Sequence, residues 1–476
     1  MAGTATPAGA GPAGNVWADA IIWGTRWDSP ENAPGPTATI GVNIAGRGGP
    51  EEVDAEPITA LDPTRAELAA IRAAMALVEE VCLIDFVEVR DQARADIVWA
   101  MVGNEEAEGN LGWATLPFGG PNSQGVVALN RDALDPAAGG DVLRPGGFDF
   151  CTPIHELGHA LGLDHTHDPP TPFPGVDEPG DLGRFGMNQG AFTMMGYNDG
   201  WVSSPHGRSP SPVYGYQSGP MAIDVAALQA LYGVNAATRA GDDAYRLPDA
   251  NRPGTGYGCI WDAGGTDRML GTGRADSIDL RAASLEAAPG GGGFVSFAQG
   301  VHGGFTVAHG AVIERASGGG GDDRIRGNAA ANALEGDAGH DRIRGGDGAD
   351  RIRGGDGRDV LVGGDGRDAL SGGADADLFV FAAAAQSRGA SRDAILDFRP
   401  NRDRVVVDGI DADTSLAGDQ AFRLDRGGAF AAGEVRQAAT DGGLLLEFNA
   451  DGDARPEMAI LLAGIERPLG AGDLEL

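Results

Sequence analysis

The 476-residue chain has no lysine: its 35 basic side chains are all arginine, set against 69 acids for a formal charge of −34. Nucleic acids and anionic membranes are held through basic patches, so neither is an expected partner of so acidic a chain. Cysteine is scarce as well. Three residues, Cys82, Cys151 and Cys259, are too few and odd in number for a disulfide framework, although one bridge stays open. No apolar run reaches the ~18 residues of a membrane-spanning helix. Residues 1–14 lack the basic start and apolar core of a Sec signal peptide. Residues 1–16 are expected to be a flexible tail or short propeptide. Glycine is what abounds: 79 residues, about 17% against a usual share of roughly 7%, so many positions must be turns or need φ > 0.

The length suggests at least two domains, at about 100–200 residues each. Residues 17–235 carry 30 of the acids and 10 of the arginines. They read as mixed α/β. Segments 21–27, 37–44, 84–89, 97–102 and 126–130 have strand character. Segment 63–83 reads as a helix capped by Asp62, with Leu68, Ile71, Met75, Val78 and Cys82 at helical spacing. Segment 220–232 reads as another, stopped by Gly233. Beyond residue 264 the helix signal fades and a short repeat emerges.

Residues 155–165 read His-Glu-Leu-Gly-His-Ala-Leu-Gly-Leu-Asp-His. At ordinary composition, five such fixed positions arise by chance about once in 10⁵ chains of this length. His155 and His159 stand four apart, so both imidazoles leave one helix face. Gly162 lets the chain turn out of the helix and bring in His165. Three nitrogen ligands leave the fourth zinc position open, the catalytic arrangement. Glu156 points about 100° away from His155, toward the open position, and suits a general base. Thirty residues on, Met195-Gly196-Tyr197 has the pattern of a Met-turn, with Met195 as an apolar floor and Tyr197 able to reach the metal or a developing oxyanion. His167, in a His-Asp-Pro-Pro loop, reads as solvated. Cys82 and Cys151 read as buried core residues.

Residues 318–380 divide into seven nonapeptides of the form G-G-x-G-x-D-x-U-x, holding 18 glycines, 13 acids and 8 arginines. The apolar U is Ile325, Leu334, Ile343, Ile352, Leu361, Leu370 and Phe379. This unbroken phase excludes a flexible glycine linker. Asp323, Asp341, Asp350, Asp359, Asp368 and Asp377 stand at the sixth position, and all-oxygen ligation by stacked turns fits Ca²⁺. Gly319 and Gly321 join Asp323 as ligands of the first unit. Asn332 replaces the aspartate in unit two and Asp375 the fourth glycine in unit seven, so those turns are expected to be weaker or empty. The repeat is that of the RTX parallel β-roll.

The zinc segment resembles the metzincin metalloproteases, and Met195-Gly196-Tyr197 resembles their serralysin branch, in which the Tyr is a zinc ligand. Thr166 departs from the family's usual Pro after the third His. Residues 220–233 resemble the helix that closes the serralysin catalytic domain. The resemblance implies an α+β fold: a metzincin zinc-protease domain over 17–235, then an all-β calcium-binding parallel β-roll over 236–380 and a β-rich C-terminal portion over 381–476 with a type I secretion signal. It further implies calcium ligation by Arg239, Gly241, Asp243, Asp262, Gly264, Asp267 and Glu314. The expected protein is a secreted, extracellular, monomeric zinc endopeptidase acting on proteins or peptides, with one catalytic Zn²⁺ and several structural Ca²⁺. The alternative is a calcium-dependent binding protein whose zinc domain no longer cleaves; the intact Glu156 speaks against it.

Overall fold

The computed structural model describes residues 4–7, 15–23, 25–28, 37–46, 51–53, 56–117, 124–134, 139–168, 172–425, 427, 429–451, 453 and 455–476. Most of the expected N-terminal tail lies outside them; Thr4–Pro7 pairs antiparallel with Thr25–Asp28. The strand expected over 21–27 is shorter, because Asp19–Ile21 turns as a 3-10 helix before it.

The first half builds a five-stranded sheet in the order Ile84–Glu88, Ala38–Ile44, Ile97–Val102, Gly125–Asn130, Gly112–Ala114. Four strands are parallel and the last is antiparallel. Ile97–Val102 and Gly125–Asn130 are buried at every residue, as the middle of a covered sheet requires. Helix α1, Arg65–Val81, makes the crossover between Ala38–Ile44 and Ile84–Glu88. Its cap is Thr64 rather than Asp62: the Thr64 hydroxyl accepts from the Glu67 N–H and the Glu67 carboxylate accepts from the Thr64 N–H. Helix α2, Cys151–Ala160, packs against α1 and the sheet, and α3, Ala222–Tyr232, ends at Gly233 with φ 85°.

The second half is nearly all strand. Alternate nonapeptides feed alternate sheets, so neighbours within a sheet are 18 residues apart: Ile325 pairs with Ile343 and Ile343 with Leu361, while Leu334 pairs with Ile352 and Ile352 with Leu370. All seven U residues are buried between the sheets. Beyond the repeat both sheets continue. Asp393–Ile395 and Met458–Ala463 extend one, and Arg404–Val406 and Leu474–Glu475 the other, all parallel. Three thiols are free: Cys82 and Cys151 are buried and Cys259 is half-buried. Among the described residues no helix is long and apolar enough to cross a membrane.

Candidate active site

Helix α2 carries His155, Glu156 and His159 and stops in a two-bond turn. The Gly162 N–H donates to the His159 carbonyl and the Leu163 N–H to the Gly158 carbonyl, each at 2.9 Å, with Gly162 at φ 97°. This exit swings His165 back over the helix. The Nε2 atoms of His155 and His165 lie 3.1 and 3.0 Å from that of His159. Their outer nitrogens are fixed: His155 Nδ1 donates to the Met194 carbonyl at 2.7 Å, His159 Nδ1 to the Leu163 carbonyl at 2.8 Å, and His165 Nδ1 to Asp168 Oδ2 at 2.7 Å. Those partners set the tautomers, so all three Nε2 lone pairs face one point. Burial, then the neighbouring imidazoles, hold His155 well below the usual imidazole range and His159 at about 4. Three converging imidazoles whose inner nitrogens crowd one another fit a cation that all three can reach at ~2.0–2.1 Å.

The floor is built from Met195, fully buried. A Cβ on Gly158 would fall 2.6 Å from Met195 Sδ, so only glycine lets the turn close under the helix. The turn hangs from α3. Asp224 accepts from the Met194 N–H (2.7 Å), the Met221 N–H (2.8 Å) and the Thr193 hydroxyl (2.7 Å). Asp224 therefore holds Met194, whose carbonyl orients His155. Thr166 is explained as well: its N–H donates to the Met195 carbonyl, a bond proline would forfeit, and its hydroxyl donates to Asn188.

Tyr197 places Oη 2.9 Å from His165 Nε2 while its ring stays largely exposed. Glu156 faces the same cleft of about 400 Å³, together with His155, Cys151, Thr152 and Asp199. Burial pushes its carboxyl up to about 8. His167 is not solvated as its loop suggested. It stacks on His165 at 4.9 Å with its side chain only 14% exposed, because the turn at Asp168 folds it inward.

The family model described as "Peptidase M10 serralysin C terminal" matches residues 222–473. Metallopeptidase AprA of Pseudomonas marginalis is 34% identical over 73% of this chain and 68% of its own length. The chain belongs to the serralysin family of metalloendopeptidases. Serralysin C of Dickeya chrysanthemi is 33% identical over 75% of this chain and 68% of itself. Serralysin of Proteus mirabilis is 33% identical over 40% of this chain and 38% of its own length. Among solved structures, the AlgE6R2 subunit of the Azotobacter vinelandii mannuronan C5-epimerase aligns over 32% of this chain and 91% of itself, at 29% identity and TM-score 0.25.

Farther along the chain, the roll carboxylates stand in two columns. Each Oδ1 accepts the backbone N–H of an equivalent residue one layer away, and the chains of bonds run Asp276, Asp323, Asp341, Asp359, Asp377, Asp403 and Asn332, Asp350, Asp368, Asp393. The second oxygen of Asp323, Asp341, Asp350, Asp359, Asp368, Asp377 and Asp393 is buried and has no hydrogen-bond partner, although the Arg399 guanidinium stands 3.6 Å from that of Asp377. A buried carboxylate oxygen left orphaned is costly, and a hard cation satisfies it. Asn332 differs: its amide bonds to Asn328 and to the Ile313 and Glu314 carbonyls and leaves nothing free. Asp375 takes the vacated glycine position at φ 66°. Gly319 and Gly321 turn at φ 97° and 110° against the 272–275 segment.

Of the upstream set, Asp243, Asp262 and Asp267 bring carboxylate oxygens within 4.8 Å of one another. Gly264 N–H donates to Asp262, and Glu314 accepts from the Asp267 N–H. Gly241 packs its carbonyl against Gly265, and Arg239 turns at φ 48° with its guanidinium on Glu80. Asp168, Asp224, Asp276, Asp393 and Asp403 are the functional candidates that sequence reasoning missed.

Proposed function

We propose that this chain is a secreted, zinc-dependent endopeptidase whose roll folds around calcium. The observation that carries the reading is the convergence of three tautomer-fixed imidazoles beside Glu156 and Tyr197 on one open cleft. His155, His159 and His165 would hold the zinc ion, with Tyr197 within reach as a further ligand. When bound, zinc supplies Lewis-acid polarisation of the scissile carbonyl and acidifies water. Glu156 takes the water proton and returns it to the leaving amine. A cation at the imidazoles lowers the Glu156 carboxyl from about 8, making it a competent base at neutral pH. The Tyr197 phenol donates to the oxyanion that develops on the carbonyl. Export as an unfolded chain is read from the roll: its orphaned carboxylates favour folding only where calcium is plentiful. The 381–476 portion would carry the export signal.

Casein hydrolysis with and without a chelator tests the activity, and Glu156→Gln tests the mechanism. The variant should retain zinc and lose about 10²–10⁴-fold in rate. Full activity in the variant overturns the role of Glu156. Stoichiometric zinc with no cleavage of any peptide library would favour the binding-protein alternative.

A further inference from the structure

The strand motif Arg-Ile-Arg occurs at 324–326 and 342–344, and the ladder sets the two copies side by side. Arg324 pairs with Arg342 and Arg326 with Arg344, while Ile325 and Ile343 between them point into the core. Four exposed guanidinium side chains thus form a grid on the outer face of one sheet. Adjacent strands lie about 4.8 Å apart and alternate residues about 6.7 Å apart. Among the described residues none of the four forms an ion pair. The acid beside Arg326 in the ladder, Asp279, is committed to Arg281 at 2.6 Å.

This arrangement opposes stability, since like charges directly opposite on a sheet repel. The roll does not require it. The flanking strands of the same sheet carry Ser277 and Asp279 on one side and Val360 and Val362 on the other at equivalent positions. On the opposite sheet the third copy, 351–353, is half compensated, with Arg353 reaching Glu335 at 3.5 Å. The neighbouring cations Arg281 and Arg344, after burial, depress the proton affinity of Arg326 itself. An anion bound at the grid relieves that repulsion.

Beside the grid opens a cleft of about 710 Å³, lined by Arg281, Ser284, His309, Arg326, Asn328 and the single acid Asp347, the rest being small residues and backbone. Arg281 is held in place there, its guanidinium over the Phe294 ring at 3.5 Å. Arg326 offers a planar fork for carboxylate or sulfate, and Ser284, Asn328 and the backbone offer partners for sugar hydroxyls. Apart from the His309 imidazole the lining offers no aromatic ring on which bases could stack.

We propose that the arginine grid and its adjoining cleft form a binding site for an anionic polysaccharide. The site anchors the protein to a charged glycan through a face remote in sequence from the imidazole cluster, and it stands whether or not that cluster cleaves peptides. The test uses the calcium-loaded full chain in affinity electrophoresis against dextran sulfate, polygalacturonate, unsubstituted dextran and poly(dT). The chain should be retarded by the sulfated glycan, the carboxylated glycan or both, which identifies the anion, and not by unsubstituted dextran. The fourfold variant Arg324→Ser, Arg326→Ser, Arg342→Val, Arg344→Val borrows residue types from the flanking strands. It should bind about tenfold or more weakly, from four exposed charge contacts of a few tenths of a kcal/mol each, with casein hydrolysis unchanged. The paired variant Arg351→Ser, Arg353→Ser on the opposite sheet should bind as before. If the fourfold variant loses its calcium-dependent circular dichroism, the single Arg344→Glu decides, with a weakening of about threefold. No retardation by either anionic glycan, equal binding by the grid variants, or equally tight binding of poly(dT) overturns the proposal.

Discussion

Protons should replace calcium in the roll. Seven buried aspartates, 323, 341, 350, 359, 368, 377 and 393, are 0–2% exposed, and each keeps one carboxylate oxygen without a hydrogen-bond partner; only that of Asp377 has a cation nearby, Arg399 at 3.6 Å. Burial, followed by neighbouring carboxylates in most of them, pushes Asp323, Asp350, Asp359 and Asp393 up to about 7 and Asp341, Asp368 and Asp377 up to about 6. A carboxyl whose folded pKa is raised favours folding below its unfolded value near 3.8, and that contribution is lost as pH rises through the folded value. The window is therefore about pH 4 to 7. Full burial would carry ~1.4 kcal/mol per pKa unit. Even buried sites respond with an effective dielectric constant near ~20, which discounts the figure to ~1 kcal/mol per carboxylate. Seven such groups come to ~7 kcal/mol, comparable with the whole stability of an ordinary domain.

The perturbation is calcium removal by exhaustive dialysis, and the assay is far-ultraviolet circular dichroism of the metal-free chain between pH 4.5 and 8.5. The roll signal should be strong near pH 5 and fall away by pH 8, and millimolar calcium should restore it at pH 8 but change little at pH 5. A metal-free roll signal that is flat across the range, or that grows with rising pH, refutes the reasoning. It would mean that the orphaned oxygens do not limit folding.

Two further predictions concern the support of the imidazole cluster. Asp224→Ala strips three donors of their acceptor in a fully buried site, so unfolding should be easier by ~3 kcal/mol or more; Asp224→Asn, which keeps an acceptor for the two N–H groups, should lose less, and equal thermal melts for wild type and the alanine variant would contradict the hanging of the Met-turn from α3. Gly158→Ala drives a methyl toward Met195 Sδ at 2.6 Å and should cost ~1–3 kcal/mol through overpacking, with faster zinc loss to a chelator than wild type; unchanged zinc retention would show that the turn yields freely.

The imidazole cluster was legible because its geometry is local. Spacings of four and six residues, one glycine exit and one short turn place His155, His159, His165, Met195 and Tyr197 within a span of 43 residues. Asp224 was not legible, since an acid in the first turn of a helix ordinarily serves that helix. Its reach to Met194, 30 residues upstream, exists only once α3 has docked. The same limit misplaced the cap of α1 and left His167 in solvent: Thr64 prevails over Asp62 through a reciprocal bond with Glu67, and His167 is drawn in by stacking. The two-sheet roll followed from phase, whereas the strands after 381 carry no phase to count.

Asp276, Asp393 and Asp403 show what the nonapeptide hides. Each is followed two residues later by a buried apolar side chain, Ile278, Ile395 or Val405, as every repeat aspartate is. Of the three glycines that define the repeat, Asp276 keeps only the first, Gly271, Asp393 only the second, Gly389, and Asp403 none, and the steps of 25 and 26 residues from Asp368 and Asp377 replace the regular 18. The ladder nevertheless continues, because it asks only for an Oδ1 that accepts the N–H of the layer before it and an apolar residue two places on. Glycine is needed where the turn between layers is six residues long; where the chain loops out, as over 382–392, other residues suffice. The conserved element of the column is thus the aspartate–apolar pair, and the outward strand positions on either side are released from the fold. That release is what permits Arg324, Arg326, Arg342 and Arg344 to stand in register on the surface, with no structural role to account for them.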